Sequence, residues 1–268
     1  MKMVVTILGC GTSVGSPMVG QQDKPQFRNL KNWRMRASLL IEPFGRGGPA
    51  ILIDTSPDLR QQALQFFPKK PRLDAILVTH EHADHLHGLD DIRPFNFYQK
   101  AALPLYADGP VCDQIRTKFA YIFHPLQEGG GLPRLTVHAI DPKEPFTLRN
   151  AADPRLHNFE IIPLPLRHGN MDCLGFRIGK MAYLTDTNFI PDATLEKMKN
   201  LDVLILDCLR PQPHSTHFTL EESLAYAQRI KAKKTILTHM ASELEYESLR
   251  KQLPRGIIPA YDGLQFRL

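Results

Sequence analysis

The sequence predicts an α/β fold arranged as a four-layer αββα sandwich. Short β-branched apolar runs recur along the chain and alternate with helical patterns, as expected of sheets flanked by helices. Several of these runs close on a histidine or an aspartate. With 268 residues, 43% of them hydrophobic, the chain can bury a full core. No linker or low-complexity tract divides it, and one domain over residues 1–268 is expected.

Taken in order, residues 3–8 read as a first strand. The opening Met1-Lys2-Met3-Val4-Val5-Thr6-Ile7-Leu8 resembles a signal peptide superficially, but its apolar core is too short and runs into a glycine-rich stretch. Strands are expected at 38–42 and 50–54, then a helix near 58–66. Leu73-Asp74-Ala75-Ile76-Leu77-Val78-Thr79 is short, β-branched and apolar, which suits a buried strand over 75–79 better than a helix. A helical pattern near 109–120 precedes strands at 161–166 and 181–185, a helix near 192–199 and a strand at 203–207. The stretch from Pro211 to His217 is a proline-rich loop before an amphipathic helix at 219–231, where Thr219 and Glu222 have capping-box spacing. A strand at 235–238 and a helix near 242–252 complete the pattern. The two halves are expected to share a topology, without any evident sequence repeat.

Composition sets limits on partners. The 33 cationic and 28 anionic residues leave a net charge of +5 and a pI near 9.0, a mild excess that favours an anionic partner. Lys69-Lys70-Pro71-Arg72 and Lys231-Ala232-Lys233-Lys234 read as solvated element ends more readily than as a nucleic-acid track. Cys10, Cys112, Cys173 and Cys208 are scattered without metal spacing and read as ordinary thiols in a reducing compartment. No run approaches the roughly twenty apolar residues of a membrane span. A cytoplasmic protein with no membrane partner is expected.

The chemistry concentrates in His80-Glu81-His82-Ala83-Asp84-His85, three imidazoles and two carboxylates in six residues, directly after a buried strand. Imidazole and carboxylate are ligands for zinc or another first-row metal. On a turn, His80 and His82 can address one ion while Asp84 and His85 address a second. Three further apolar runs end in metal-competent side chains: Ile161–Leu166 leads to His168, Met181–Thr185 to Asp186, and Thr235–Thr238 to His239.

This ordered set resembles the metallo-β-lactamase fold superfamily across most of the chain. The resemblance implies His80, His82 and His168 on one metal, Asp84, His85 and His239 on the other, and Asp186 bridging. Asp54, which ends Ala50-Ile51-Leu52-Ile53, matches an early aspartate that supports the metal loop without binding metal. Leu8-Gly9-Cys10-Gly11-Thr12-Ser13-Val14-Gly15-Ser16-Pro17 resembles the start of the tRNase Z and phosphodiesterase branch. Pro163–His168, Tyr183–Thr187, His214–His217 and Ala260–Gly263 resemble the carbon-phosphorus lyase accessory phosphodiesterases, which open a phosphoribosyl 1,2-cyclic phosphate. That family commonly holds an extra structural zinc on cysteines after the glycine-rich opening. Residues 17–36 contain no cysteine here, and no such zinc is expected.

Two divalent metal ions are therefore expected, with zinc the default and manganese also compatible with the mixed donor set. The expected reaction is phosphodiester hydrolysis by a hydroxide bridging ions about 3.5 to 4 Å apart, with Asp84 serving in catalysis as well as ligation. His217 lies where the branch carries a histidine outside the metal shell, placed to donate a hydrogen bond or proton to a leaving oxygen. His214 has the weaker claim. Arg34 and Arg36 alternate toward one face if Arg36-Ala37-Ser38-Leu39-Leu40-Ile41 begins a strand, and would then help form a phosphate pocket; a solvated basic edge is the alternative. The expected partner is a small phosphorylated substrate or nucleotide, and a homodimer is implied by resemblance alone. A tRNase Z-like nuclease ranks behind it. Gly129-Gly130-Gly131 with Pro133 is too short for that enzyme's substrate arm. Thioesterase or lactonase chemistry on the same metals, and a non-catalytic nucleotide-binding module, are the remaining readings.

Overall fold

A computed structural model describes residues 2–124 and 131–268, so Met1 and residues 125–130, with Gly129 and Gly130 of the glycine stretch among them, lie outside the described residues. Two seven-stranded sheets form its centre. The first contains β1 (Val4–Gly9), β2 (Ser38–Glu42), β3 (Ile51–Ile53), β4 (Ala75–Leu77), β5 (Leu103–Ala107) and β6 (Leu135–Ala139). The second contains β7 (Phe146–Thr147), β8 (Glu160–His168), β9 (Met171–Ile178), β10 (Met181–Leu184), β11 (Val203–Asp207), β12 (Lys234–Thr238) and β13 (Ile257–Pro259). The last strand, β14 (Gln265–Arg267), returns to pair with β1.

The sheets share one connection pattern. In the first, β1, β2 and β3 pair antiparallel, and β3 through β6 run parallel. In the second, β8, β9 and β10 pair antiparallel, and β10 through β13 run parallel. The expected likeness of the two halves is thus topological.

Alternate residues along a strand point to opposite faces, and here both faces are buried. Leu39 and Ile41 join Phe176, Met181 and Tyr183 in the core between the sheets. Leu40, Leu52 and Ile76 pack outward with Leu59 of α1 (Leu59–Phe66). The short α2 (Ala83–Leu86), α3 (Arg93–Gln99), α4 (Gly109–Lys118) and α5 (Ala120–Phe123) also belong to the first half. Ala182, Leu184 and Leu204 pack outward in the second half, beside α6 (Asp192–Glu196) and α7 (Leu220–Ile230). The last helix is α8 (Tyr246–Gln252). The layers are helix, sheet, sheet, helix, as predicted.

Two helices are shorter than their patterns suggested. The helix expected over 192–199 ends at Glu196. That expected over 242–252 begins at Tyr246, because Glu245 caps it by accepting from Glu247 N–H at 3.2 Å and Ser248 N–H at 2.7 Å. The capping box of α7 forms as expected, with Thr219 and Glu222 exchanging side-chain and backbone bonds. All four cysteines are free and buried. Among the described residues no helix is long and apolar enough to cross a membrane.

Candidate metal centre

The parallel strands deliver their chemistry at their carboxyl ends, where open α/β sheets commonly form sites. Asp54 follows β3, His80 to His85 follow β4, and His168 ends β8. Asp186 follows β10, Asp207 ends β11 and His239 follows β12. Three of these turn the chain through the left-handed region: Asp54 (φ 64°), Asp186 (φ 51°) and His239 (φ 57°). Non-glycine residues rarely adopt such backbone, and functional sites are where it concentrates.

Asp54 is fully buried and anchors the loop after β4. Its carboxylate accepts from Thr79 N–H at 2.8 Å, from the Thr79 hydroxyl at 2.9 Å, and faces His85 Nδ1 at 2.8 Å. The Thr79 hydroxyl also lies 3.0 Å from His80 Nδ1. One carboxylate thereby orients two histidines, the arrangement by which outer groups aim metal ligands. Gly88 lets the loop lie flat, since a Cβ there would sit 1.9 Å from Ser56 O.

Three overlapping donor groups result. His80, His82, His168 and Asp186 form one, Asp84, His85, Asp186 and His239 a second, and Asp186, Asp207, His217 and His239 a third; within each, the ligand atoms lie within 4.8 Å of one another. Asp186 belongs to all three, and its two oxygens face different ways. Oδ1 lies 3.2 Å from His85 Nε2 and 3.3 Å from His239 Nε2, whereas Oδ2 lies 3.8 Å from His80 Nε2 and 3.9 Å from His217 Nε2. Asp84 Oδ2 is 3.3 Å from His85 Nε2 and 3.6 Å from His239 Nε2.

The Nδ1 atoms of His80, His85 and His168 are engaged by Thr79, Asp54 and Thr216 O, which turns each Nε2 toward the centre. The Nε2 atoms of His80, His85 and His239 are buried without a hydrogen-bond partner. Buried polar groups are seldom left so, and converging orphaned imidazole nitrogens beside carboxylates fit a cation.

The electrostatics agree. Burial pushes His80 well below its ordinary value, with the neighbouring His85 adding to the effect, so its nitrogen is free to ligate. Burial opposes charge on His85, but Asp186 and Asp54 outweigh it and raise that imidazole well above its ordinary value. Burial would likewise raise Asp186, yet His239, His85 and His80 hold it well below the carboxylate range. Metal entry at His85 must therefore displace a proton.

His217 stacks on His239, ring centroids 4.7 Å apart at 11°, and its Nδ1 lies 3.3 Å from Asp207 Oδ1. Burial would lower this imidazole, but Asp207 and its hydrogen bond raise it. Asp207 was not among the expected site residues. It is wholly buried, accepts Phe218 N–H at 2.9 Å and Asp186 N–H at 3.2 Å, and lies 3.6 Å from His239 Nδ1. Its signal was the one that marked the others, an apolar strand closed by an aspartate.

Arg34 and Arg36 correct the expectation of a phosphate pocket. β2 starts only at Ser38, and the two arginines form isolated bridges with Ser16 and Gly11. Arg34 is 3% exposed and donates to Ala241 O at 3.0 Å and Leu244 O at 2.6 Å. Arg36 is paired with Asp58, Nη1 to Oδ1 at 2.9 Å. These bonds tie the opening segment to neighbouring loops, while the Nε of each arginine is buried without a hydrogen-bond partner. Asp262 does similar work. It accepts Cys10 N–H at 3.0 Å and Met35 N–H at 2.6 Å, and burial pushes its carboxyl up to about 7.

A family profile described as a beta-lactamase superfamily domain matches residues 50–240. The chain is similar to a crystal structure of a new diphosphatase from the PhnP family, with 38% identity and a TM-score of 0.87, over 100% of this chain and 98% of that one. An octanoyltransferase of Porphyromonas gingivalis is 36% identical over 97% of this chain and 50% of that protein, so the chain spans half the length of this relative. A ribonuclease Z of Geobacillus kaustophilus is 23% identical over 79% of this chain and 84% of that enzyme.

Proposed function

Since the chain belongs to the beta-lactamase superfamily, we propose that it is a dinuclear metal-dependent phosphodiesterase acting on a small cyclic or nucleotide-like phosphodiester. The observation that carries this reading is Asp186, whose two oxygens are divided between His85 and His239 on one side and His80 and His217 on the other. A shared carboxylate of this kind suits two ions. His80, His82 and His168 would hold one, and Asp84, His85 and His239 the other. Zinc or manganese bound there would lower the pKa of water and offset charge on the phosphoryl oxygens.

The remaining chemistry belongs to the chain. Asp84 combines ligation with an oxygen that can orient the attacking water. His217, held by Asp207 at Nδ1, presents Nε2 as a proton donor to the leaving oxygen. Asp207 both fixes the ring and favours its charged form, as a buried carboxylate behind an imidazole does.

One observation favours a second reading, hydrolysis of an acyl thioester: the octanoyltransferase relative. Half of that protein has no counterpart in this chain and can carry the transfer, so the reading ranks second. The test is a metal-supplemented screen of cyclic phosphates, nucleotide diesters, bis-p-nitrophenyl phosphate, acyl thioesters and lactones, with His82→Ala and chelated protein as controls. Metal-dependent turnover of phosphodiesters above the other classes is expected. Turnover of thioesters alone would transfer the assignment, and binding without turnover would make the chain a nucleotide-binding module.

A further inference from the structure

His214 lies outside the ligand set, on the loop between β11 and α7. Its ring is exposed, yet its orientation is set from within the protein. Thr216 N–H donates to His214 Nδ1 at 3.3 Å, and the Thr216 hydroxyl is 3.1 Å from the same nitrogen. A ring nitrogen that accepts from a backbone N–H carries no proton, so neutral His214 bears its proton on Nε2.

The loop around it is strapped at both ends. Arg210 donates from Nη2 to Pro213 O at 3.1 Å. Asn188 Nδ2 donates to Ser215 O at 2.9 Å, and Thr216 O accepts from His168 Nδ1 at 2.8 Å. The Thr216 methyl sits over Gly169, where a Cβ would meet it at 2.7 Å. A side chain ordered before the ligand arrives gives up little entropy on binding.

The imidazoles form a series leading away from the metal ligands. The His217 ring is 4.6 Å from that of His168 and 4.7 Å from that of His239, and the His214 ring lies 5.2 Å from His217. If His217 addresses the scissile leaving oxygen, a donor one ring further out meets atoms just beyond that oxygen. In a diphosphate linkage those atoms are the non-bridging oxygens of the second phosphate. In a p-nitrophenyl ester they are ring carbons.

We propose that His214 is a substrate-contact residue that reads the leaving group, donating from Nε2 to an oxygen of a second phosphate and so favouring diphosphate linkages over simple aryl or alkyl esters. The inference rests on the phosphodiesterase reading and names the substrate class within it.

The test compares metal-loaded wild type, His214→Ala and His214→Gln on diadenosine diphosphate and bis-p-nitrophenyl phosphate, with calorimetric binding of the α,β-methylene analogue of ADP as a measurement independent of turnover. His214→Ala should lose about 10- to 100-fold more kcat/KM on the diphosphate than on the aryl diester, the factor for a hydrogen bond to a charged acceptor. Affinity for the methylene analogue should fall by a similar factor at unchanged metal content. His214→Gln, whose amide nitrogen reaches near the place of Nε2, should recover most of both. Equal losses on the two substrates, or undiminished analogue binding, would overturn the proposal. Analogue binding that depends on His214 without hydrolysis of any diester would uphold the contact and sink the phosphodiesterase reading; diester hydrolysis indifferent to His214 would do the reverse.

Discussion

Replacing Asp207 by asparagine isolates the charge behind His217 and His239. The volume is unchanged, but the bonding is not. Phe218 N–H and Asp186 N–H donate to this carboxylate at 2.9 and 3.2 Å, and two imidazole Nδ1 atoms lie at 3.3 and 3.6 Å. Both backbone partners are donors, so the amide nitrogen of Asp207→Asn must face one of them; Phe218 N–H keeps Thr187 O at 2.9 Å, and the donor left without a partner is then the buried amide itself or Asp186 N–H. An unsatisfied buried donor costs about 1–3 kcal/mol. For a protein near this size that lowers Tm by about 2–4 °C per kcal/mol. Losing an outer partner of metal-ligating histidines typically reduces metal affinity or activity about 10- to 100-fold. Competition with a chromophoric chelator, steady-state turnover of a nucleotide diester and thermal melts of the metal-loaded protein would measure the three effects. Wild-type metal affinity and turnover in Asp207→Asn would refute the claim that this carboxylate orients the site.

Other outcomes follow from the same geometry. His82 is exposed, so His82→Ala should fold with an unchanged metal-free Tm while elemental analysis finds less bound metal and turnover collapses; full activity at full metal content would remove His82 from the ligand set. His217→Ala should retain metal and lose about 10²- to 10⁴-fold on diesters with alkyl or sugar leaving groups. On p-nitrophenyl esters, whose phenolate departs without a proton, its loss should be much smaller, and loss of metal would instead make His217 a ligand. Glu245 accepts from Asn32 and from two N–H groups of α8, and although burial alone would raise it, these bonds hold its carboxyl down at about 2. A depressed acid stabilises the fold above its unfolded value, 4.5, and that contribution disappears as pH falls toward 2. Wild type should therefore lose its Tm advantage over Glu245→Ala across this window, from a difference of about 1 kcal/mol expected of a lost cap. An advantage that is constant across the window would disprove the linkage.

Legibility in the sequence followed burial. β2, β3 and β4 are covered on both faces, so their segments read as continuous apolar runs. β5 contains Pro104, and β9 is interrupted by Gly175 and Arg177 although its register against β8 runs from Ile162 to His168. The half-exposed β6 and the short β13 and β14 carry too little pattern to stand out. The donors of the centre were legible because each closes an apolar strand or belongs to the His80–His85 cluster that follows one. Asp207 closes one too, but its partners at 186, 217 and 239 are joined to it only by the tertiary fold. Arg34 and Arg36 misled for the converse reason. A cation in sequence looks available for phosphate, while the carbonyls of Ala241 and Leu244 and the carboxylate of Asp58 that occupy these two come from remote segments.

The left-handed turns at Asp54, Asp186 and His239 decide which substitutions there can be interpreted. Alanine at such a position removes the functional group but keeps the β-carbon that the native residue already holds in backbone that disfavours it by roughly 1–2 kcal/mol. Glycine removes the same group without that penalty. Asp54→Gly should accordingly melt above Asp54→Ala although neither can hold His85, and the gap between them measures the backbone alone. Asparagine, which tolerates this conformation, is the remaining probe and reports on charge. A glycine scan of the centre would therefore understate the structural importance of these three loop residues relative to His80, His82 and His168, because there the loss of the group is partly offset by relief of the backbone.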